Sequence, residues 1–327
     1  MARPGDGLKR EMTTNPQLRS ALGHTRNGEP LSNNRAPERD LAPWVARVYA
    51  TSVEVEDESR IDCGMIADTP VMRLLFKGDW IANSRDGLRA YGPCAVLFGP
   101  QTRRMEVGVR GSFATASVAL KPGAVHALKG PKVADILDRI LFYDDIYGHD
   151  KWGTSDGLIS LFDPSGSPEH WLRIAENLIR QLIAHTGAKP PDPVIAAFDR
   201  AVFADPNLSI GDFVEEHDIE RRRFERLVKR AYGENATQVL RRARALDIAA
   251  HLRGVADDAE AEEAALKFFD QSHMIREFKA FFDMTPRQFA MTPQPFMTLT
   301  LEARQARRLE VLGRALPGEV PPWRDGV

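Results

Sequence analysis

Four polar side chains, Arg222, Glu225, Arg226 and Lys229, share one short predicted helix, Arg221–Tyr232. An α-helix turns about 100° per residue. That rotation gathers the four on one side and puts Phe224, Leu227, Val228 and Ala231 on the other. An arginine fork can pair with guanine O6 and N7, and lysine neutralises phosphate. Glu225 cannot pair with phosphate and is at best an acceptor for cytosine N4. A second predicted helix repeats the plan, with Met274, Phe278, Phe281 and Phe282 inward and Ser272, Arg276 and Lys279 outward. His273 lies at the edge, better suited to a phosphate or solvent contact than to acid–base work. Each helix is apolar behind and cationic in front, as reading a major groove requires.

Such helices need supports at fixed distances. Leu208–His217 reads as a short helix capped by Ser209, with Asp218-Ile-Glu220 as the turn and Gly233 ending the helix that follows. Thr237–Leu252 carries Val239, Ala243, Leu246 and Ala250 at helical spacing and would hold two reading units apart. Glu260–Lys267 is the expected support of the second unit. From Ile219 to Arg253 ten Lys/Arg oppose four acids, a local excess of about +6 in a chain of net charge −2. The acidic run Asp257–Asp270 would repel phosphate and is expected on the far side or to weaken the second unit.

Upstream the periodicity changes. From about 41 to 130, short alternating runs such as Val71–Phe76, Ala95–Phe98 and Phe113–Leu120 are separated by Gly- and Pro-containing turns, which predicts a β-sandwich or barrel. Helical stripes follow at Ile136, Leu137, Ile140 and Leu141, and at Leu172, Ala175, Leu178, Ile179 and Leu182. The resulting expectation is an α+β chain: a disordered tail (1–40), a β-rich domain with C-terminal helices (41–187), a Pro-rich linker (188–199), an all-α domain with two helix-turn-helix units (200–292) and a polar C-terminal tail (293–327).

Composition narrows the function classes. The chain has 327 residues, 43% of them hydrophobic and 28% charged. No apolar run approaches the roughly 18 residues of a membrane span, and no secretion signal is visible, so a cytoplasmic location and no membrane partner are expected. Cys63 and Cys94 form neither a disulfide framework nor a zinc pattern. The eight histidines are dispersed without a His-x-His pair, so neither a metal nor a cofactor is expected. No nucleophile–base pair or Gly-rich phosphate loop points to catalysis.

The order and spacing of Asp270-Gln-Ser-His273, Arg276, Phe278-Lys279, Phe282, Thr285-Pro286 and Phe289 resemble the C-terminal signature of the AraC/XylS family of bacterial transcription regulators. Leu208, Phe224, Arg226, Gly233, Leu240 and Leu246 stand in family-like places upstream. The resemblance covers roughly 200–292. It implies two helix-turn-helix units reading successive major grooves of double-stranded DNA, with Arg222, Glu225 and Arg226 in the first and Gln271, Ser272 and Arg276 in the second. Glu220, Val228, Ala236 and Lys267 depart from residues usual in the family, which puts target sequence and affinity in question more than fold. Leu41–Val45, Gly99–Arg103 and Leu120–Gly123 are more weakly similar to the family's cupin-like sensor domains, which bind small effectors or pair subunits. Arg103 and Arg104 are candidates for an acidic effector. The expected partners are DNA, a small-molecule effector, RNA polymerase and a second copy of the chain. Two other readings stay open: an interaction protein with drifted recognition helices, and a small-molecule enzyme built on the β-domain.

Overall fold

The alternation in the first third builds one antiparallel sheet. The computed structural model describes residues 19–20, 31–56, 58–148, 153–256, 272–316 and 319–324. Nine strands pair: β1 (Arg19–Ser20), β2 (Asn33–Arg35), β3 (Val45–Glu54), β4 (Arg60–Met65), β5 (Val71–Ser84), β6 (Gly87–Tyr91), β7 (Cys94–Phe98), β8 (Met105–Leu120) and β9 (Ile140–Phe142). The long β8 runs along β5 on one side and along β3 and then β4 on the other. β5 slips register around Lys77. Gly78 sits at that slip with φ +103°, and a Cβ there would lie 2.8 Å from that of Phe113, so only glycine fits the bend. The sheet curls as a result. Side chains from β3, β4, β5, β6, β7 and β8 all face one cavity, making the sheet a cup.

The outer face of the cup is covered by helices. After α1 (Ala124–Ala127), α2 (Tyr143–Tyr147) and α3 (Ser155–Ile159), α4 (Pro168–Thr186) lies across β3 and β8. Ser167 caps α4 by accepting from the His170 N–H, and Gly187 closes it in the left-handed region. Its predicted stripe, Leu172 through Leu182, is buried against Val48, Met72 and Leu74. Asn33–Arg35 falls within the stretch expected to be disordered, yet it pairs with β3. Its Arg35 guanidinium meets the buried Glu176 of α4 at 2.9 Å and Glu169 at 3.0 Å. Partners 134 and 141 residues away leave no local signal in the sequence.

The C-terminal part is helical: α5 (Pro193–Ala204), α6 (Ile210–Glu216), α7 (Arg221–Tyr232), α8 (Ala236–Leu252), α9 (Ser272–Phe282), α10 (Pro286–Met291) and α11 (Pro295–Val311). The expected linker thus turns helical at Pro193, where Asp192 caps α5. The larger difference is α11, which occupies the segment read as a polar tail. Phe296, Met297, Leu299 and Leu301 are buried, with Phe296 packed on Trp80 at 5.6 Å and on Phe113 at 5.7 Å inside the cup. The helix reads as polar because its charges are buried in pairs. Arg304 bonds Asp68 at 2.9 Å and also Asp247, Arg307 bonds Asp199, and Glu310 bonds Arg47 at 2.7 Å. Burial alone would raise the Asp68 carboxyl, but Arg304 and Arg242 outweigh it and hold it below its ordinary value. One apolar core therefore runs from the inner face of the sheet through α11 to α8, α9 and α10.

Candidate nucleic-acid interface

The first helix-turn-helix is built on phenylalanine. Phe198 of α5, Phe213 of α6 and Phe224 of α7 meet with ring centroids 5.1–5.3 Å apart. Ser209 caps α6 through the Asp212 N–H at 3.3 Å, as its position predicted. The turn is made by Asp218, whose φ of +44° is uncommon for a non-glycine residue. Glu220 precedes α7 without a side-chain cap, so that helix starts unassisted. Phe224, Leu227, Val228 and Ala231 are buried, while Arg222, Glu225, Arg226 and Lys229 are exposed together. Glu225 bonds Arg221 at 3.1 Å, one turn back on the same helix. The α7 face presented outward is therefore cationic, with its one carboxylate engaged.

The local charge count misjudged α8. Of the ten cations between Ile219 and Arg253, four face the protein. Arg242 pairs with Glu234, and Arg253 donates to the Phe289 and Thr292 carbonyls. Arg241 and Arg244 both meet Glu277 of α9. These guanidinium groups fasten the long helix to its neighbours and are spent before any phosphate arrives. Within Ile219–Arg253 the outward-facing cations are those of α7.

In the second unit, Phe278, Phe281 and Phe282 of α9 are buried, and Arg276 and Lys279 are exposed. Phe278, Phe282 and Phe289 form a closed aromatic cluster, with Phe278 stacked on Phe282 at 4.3 Å. Thr285 and Gln288 form a reciprocal capping box at the start of α10. Gln271, the expected helix Glu260–Lys267 and the acidic run to Asp270 lie outside the described residues, as do the side chains of Ser272, His273 and Met274.

The β-domain stands beside α7. Gly233, left-handed at the end of α7, rests on the backbone of Val133 and Ala134, where a Cβ would lie 3.0 Å from both. Beyond that contact a groove opens. Arg222, Arg226, Lys229 and Arg230 line one wall, and His126 and Lys132 of the β-domain line the other. Nothing in the local pattern of His126 or Lys132 singled them out.

The motifs read as marks of a sensor domain prove to be where the two parts join. The Gln101 side chain is buried and ties Ala67 to Gly99, at 2.5 Å and 2.6 Å. The Arg242 guanidinium of α8 reaches the Gln101 and Asp68 carbonyls, each at 3.4 Å. The Arg104 N–H donates to the Phe281 carbonyl of α9 at 2.7 Å. Trp44 donates to the Lys189 carbonyl at 3.2 Å, which anchors the linker. Arg103 is exposed, and the Arg104 Nε is buried without a hydrogen-bond partner among the described residues.

Residues 214–292 match a family model described as a helix-turn-helix domain, over the two units just described. This is an AraC-type helix-turn-helix domain. The chain that carries this AraC-type domain is a DNA-binding transcription regulator. Residues 33–142, most of the β-domain, match a domain of unknown function (DUF6597). Among solved structures, the P21 form of ToxT from Vibrio cholerae is similar at 9% identity and a TM-score of 0.44, over 75% of this chain and 98% of that one. A ToxT structure described as bound to an unsaturated fatty acid is similar at 11% identity and a TM-score of 0.41, over 75% and 95%. The AraC-like transcriptional activator CuxR is similar at 14% identity and a TM-score of 0.29, over 71% and 86%. No curated protein matches the chain in sequence. Among the described residues no helix is long and apolar enough to cross a membrane, and no three His, Cys, Asp or Glu side chains group as metal ligands would.

Proposed function

We propose that this protein controls transcription by laying α7 and α9 into successive major-groove segments of one operator, under the control of a small molecule sensed by the β-domain. The supporting observation is the exposed Arg222, Arg226 and Lys229 face of α7, whose opposite side is locked into the Phe198–Phe213–Phe224 core. Arg222 and Arg226 are assigned to base edges or phosphate, Glu225 to a cytosine N4, and Lys229 to phosphate. Gln271, Ser272, Arg276 and Lys279 are assigned to the second segment. His126 and Lys132, across the groove from α7, would meet the flanking phosphate backbone. A second copy of the chain and RNA polymerase are the protein partners of this reading, and its compartment is the cytoplasm.

Arg226→Ala should weaken operator binding by about 1–3 kcal/mol and relax specificity at one base pair if Arg226 reads a base. Fluorescence anisotropy against matched and single-substituted duplexes measures both. Unchanged affinity would remove Arg226 from the interface. Log affinity should also fall linearly with log salt, and Lys229→Gln should reduce that slope by about one phosphate's worth without altering sequence preference. A slope that is flat for the unmodified protein would argue that no duplex is bound through this face.

A further inference from the structure

The groove beside α7 has cations on both walls. Arg222, Arg226, Lys229 and Arg230 face Lys132 and His126, and the one carboxylate in the lining, Glu225, is already bonded to Arg221. The groove holds about 700 Å³, against the roughly 30 Å³ of a water, so it is a channel and not a packing gap. Like charges set across a channel repel, and the walls keep their places only if something else holds them. Among the described residues no apolar core is shared between the walls. Val133 belongs to the cluster on the outside of the cup, and the inward side of α7 belongs to the cluster around Phe198, Phe213 and Phe224. The core that does cross between the two parts runs through α11.

One side chain carries the charged half of that joint. The buried Arg304 guanidinium of α11 bonds Asp68, in the loop between β4 and β5, at 2.9 Å, and it also bonds Asp247 of α8. It lies over the Phe203 ring of α5 at 5.0 Å. Both helices seat α7: Phe198 of α5 and Val239 and Ala243 of α8 sit in the same cluster as Phe224 and Val228. The β-domain and the supports of α7 therefore meet on one guanidinium. A planar fork spans two carboxylates, where a lysine ammonium offers a single point charge.

We infer that Arg304 is a positioning residue for DNA. By tying Asp68 to Asp247 it holds the Lys132 and His126 wall at a fixed distance from α7, and the sugar-phosphate backbone flanking the first major-groove segment runs between the two walls. This rests on the reading of α7 as a DNA-reading helix. It goes further in making the β-domain part of the DNA site and α11 the element that keeps it there. Phosphates in the channel neutralise the repulsion between its walls, so the duplex and the Arg304 bridge favour the same arrangement.

The test uses the full-length protein and the duplex that it selects from a random-sequence pool, with affinity read by fluorescence anisotropy. Lys132→Ala should weaken binding about 5- to 10-fold at low salt and reduce the salt dependence by about one phosphate contact. In an Arg304→Lys background the same change should cost less than about twofold, because the wall is no longer held in place. Asp68→Asn cuts only the β-domain side of the bridge. It should act in the same direction, and it serves if Arg304→Lys does not fold. Lys229→Ala, on α7 itself, should cost the same in every background, which a general loosening of the fold would not allow. An equal cost of Lys132→Ala in both backgrounds overturns the positioning role, and so does a Lys229 contribution that vanishes along with that of Lys132. No cost of Lys132→Ala in the unmodified protein removes the β-domain from the DNA site. In each of those cases a duplex is still bound, so this proposal fails and the regulator reading stands. If no duplex is selected even at low salt, the regulator reading fails and takes this proposal with it.

Discussion

Asp199→Ala should destabilise the protein by about 3–5 kcal/mol, the cost of leaving one partner of a buried ion pair uncompensated. Asp199 lies on α5, and its carboxylate accepts from the Arg307 guanidinium of α11, 108 residues away. Both side chains are buried, 10% and 8% exposed. The Phe203 ring lies 4.7 Å beneath the Arg307 head, and the Asp68 carboxylate acts on it from farther off. A ring face does not replace a carboxylate for a charge removed from water. In a protein of this size the loss should lower the melting midpoint by on the order of 10 °C. The double replacement Asp199→Ala with Arg307→Leu should recover most of it, because an apolar pair in the same space carries no desolvation debt. A thermal-melt cycle over the four proteins reads the coupling directly. If Asp199→Ala alone costs under about 1 kcal/mol, the α5–α11 contact is not holding the two parts together.

That pair also marks what the sequence could and could not disclose. Periodicity and caps are local, so α7, the Ser209 cap, the Gly233 stop and the α4 stripe were all legible. The exposed polar set on α7 was legible for the same reason: one short helix with two chemically opposite sides. The role of α11 was hidden. Glu302, Arg304, Gln305 and Arg307 have the composition of a solvated tail and differ from one only through their partners: Arg324 for Glu302, the β-loop residue Asp68 for Arg304, and residues of distant helices for Gln305 and Arg307. The same blindness ran in reverse for Arg241, Arg242, Arg244 and Arg253, counted as a DNA-facing excess and found engaged by ion pairs and carbonyl contacts within the protein. Net charge of a segment predicts a surface potential only for side chains that reach the surface. The Gly99-Pro-Gln-Thr-Arg103 motif was visible, but its use as a seat for α8 depends on a fold that brings Gln101 and Arg242 together.

Phe289→Ala should cost about 3–5 kcal/mol and should remove the second reading unit before the first. The side chain is fully buried. It meets Phe282 at 4.9 Å and Phe278 edge-on at 5.4 Å, and the Arg253 guanidinium lies 5.9 Å from its ring. Truncation forfeits the transfer energy of the ring, leaves a cavity that rigid aromatic neighbours cannot close, and loses two aromatic pairs. Phe289→Leu, which keeps most of the volume, should cost clearly less. The functional consequence follows from where the cavity falls. Phe278 and Phe282 are the inward residues of α9, so loosening their seat frees the helix that presents Arg276 and Lys279. The first unit has its own core around Phe198, Phe213 and Phe224, separate from this cluster. A footprint on operator DNA should therefore shorten at one end in Phe289→Ala, while protection opposite α7 persists. Uniform loss of the whole footprint, with the protein still folded by circular dichroism, would mean that the two units bind as one cooperative body and that the separation of their cores has no counterpart in DNA recognition.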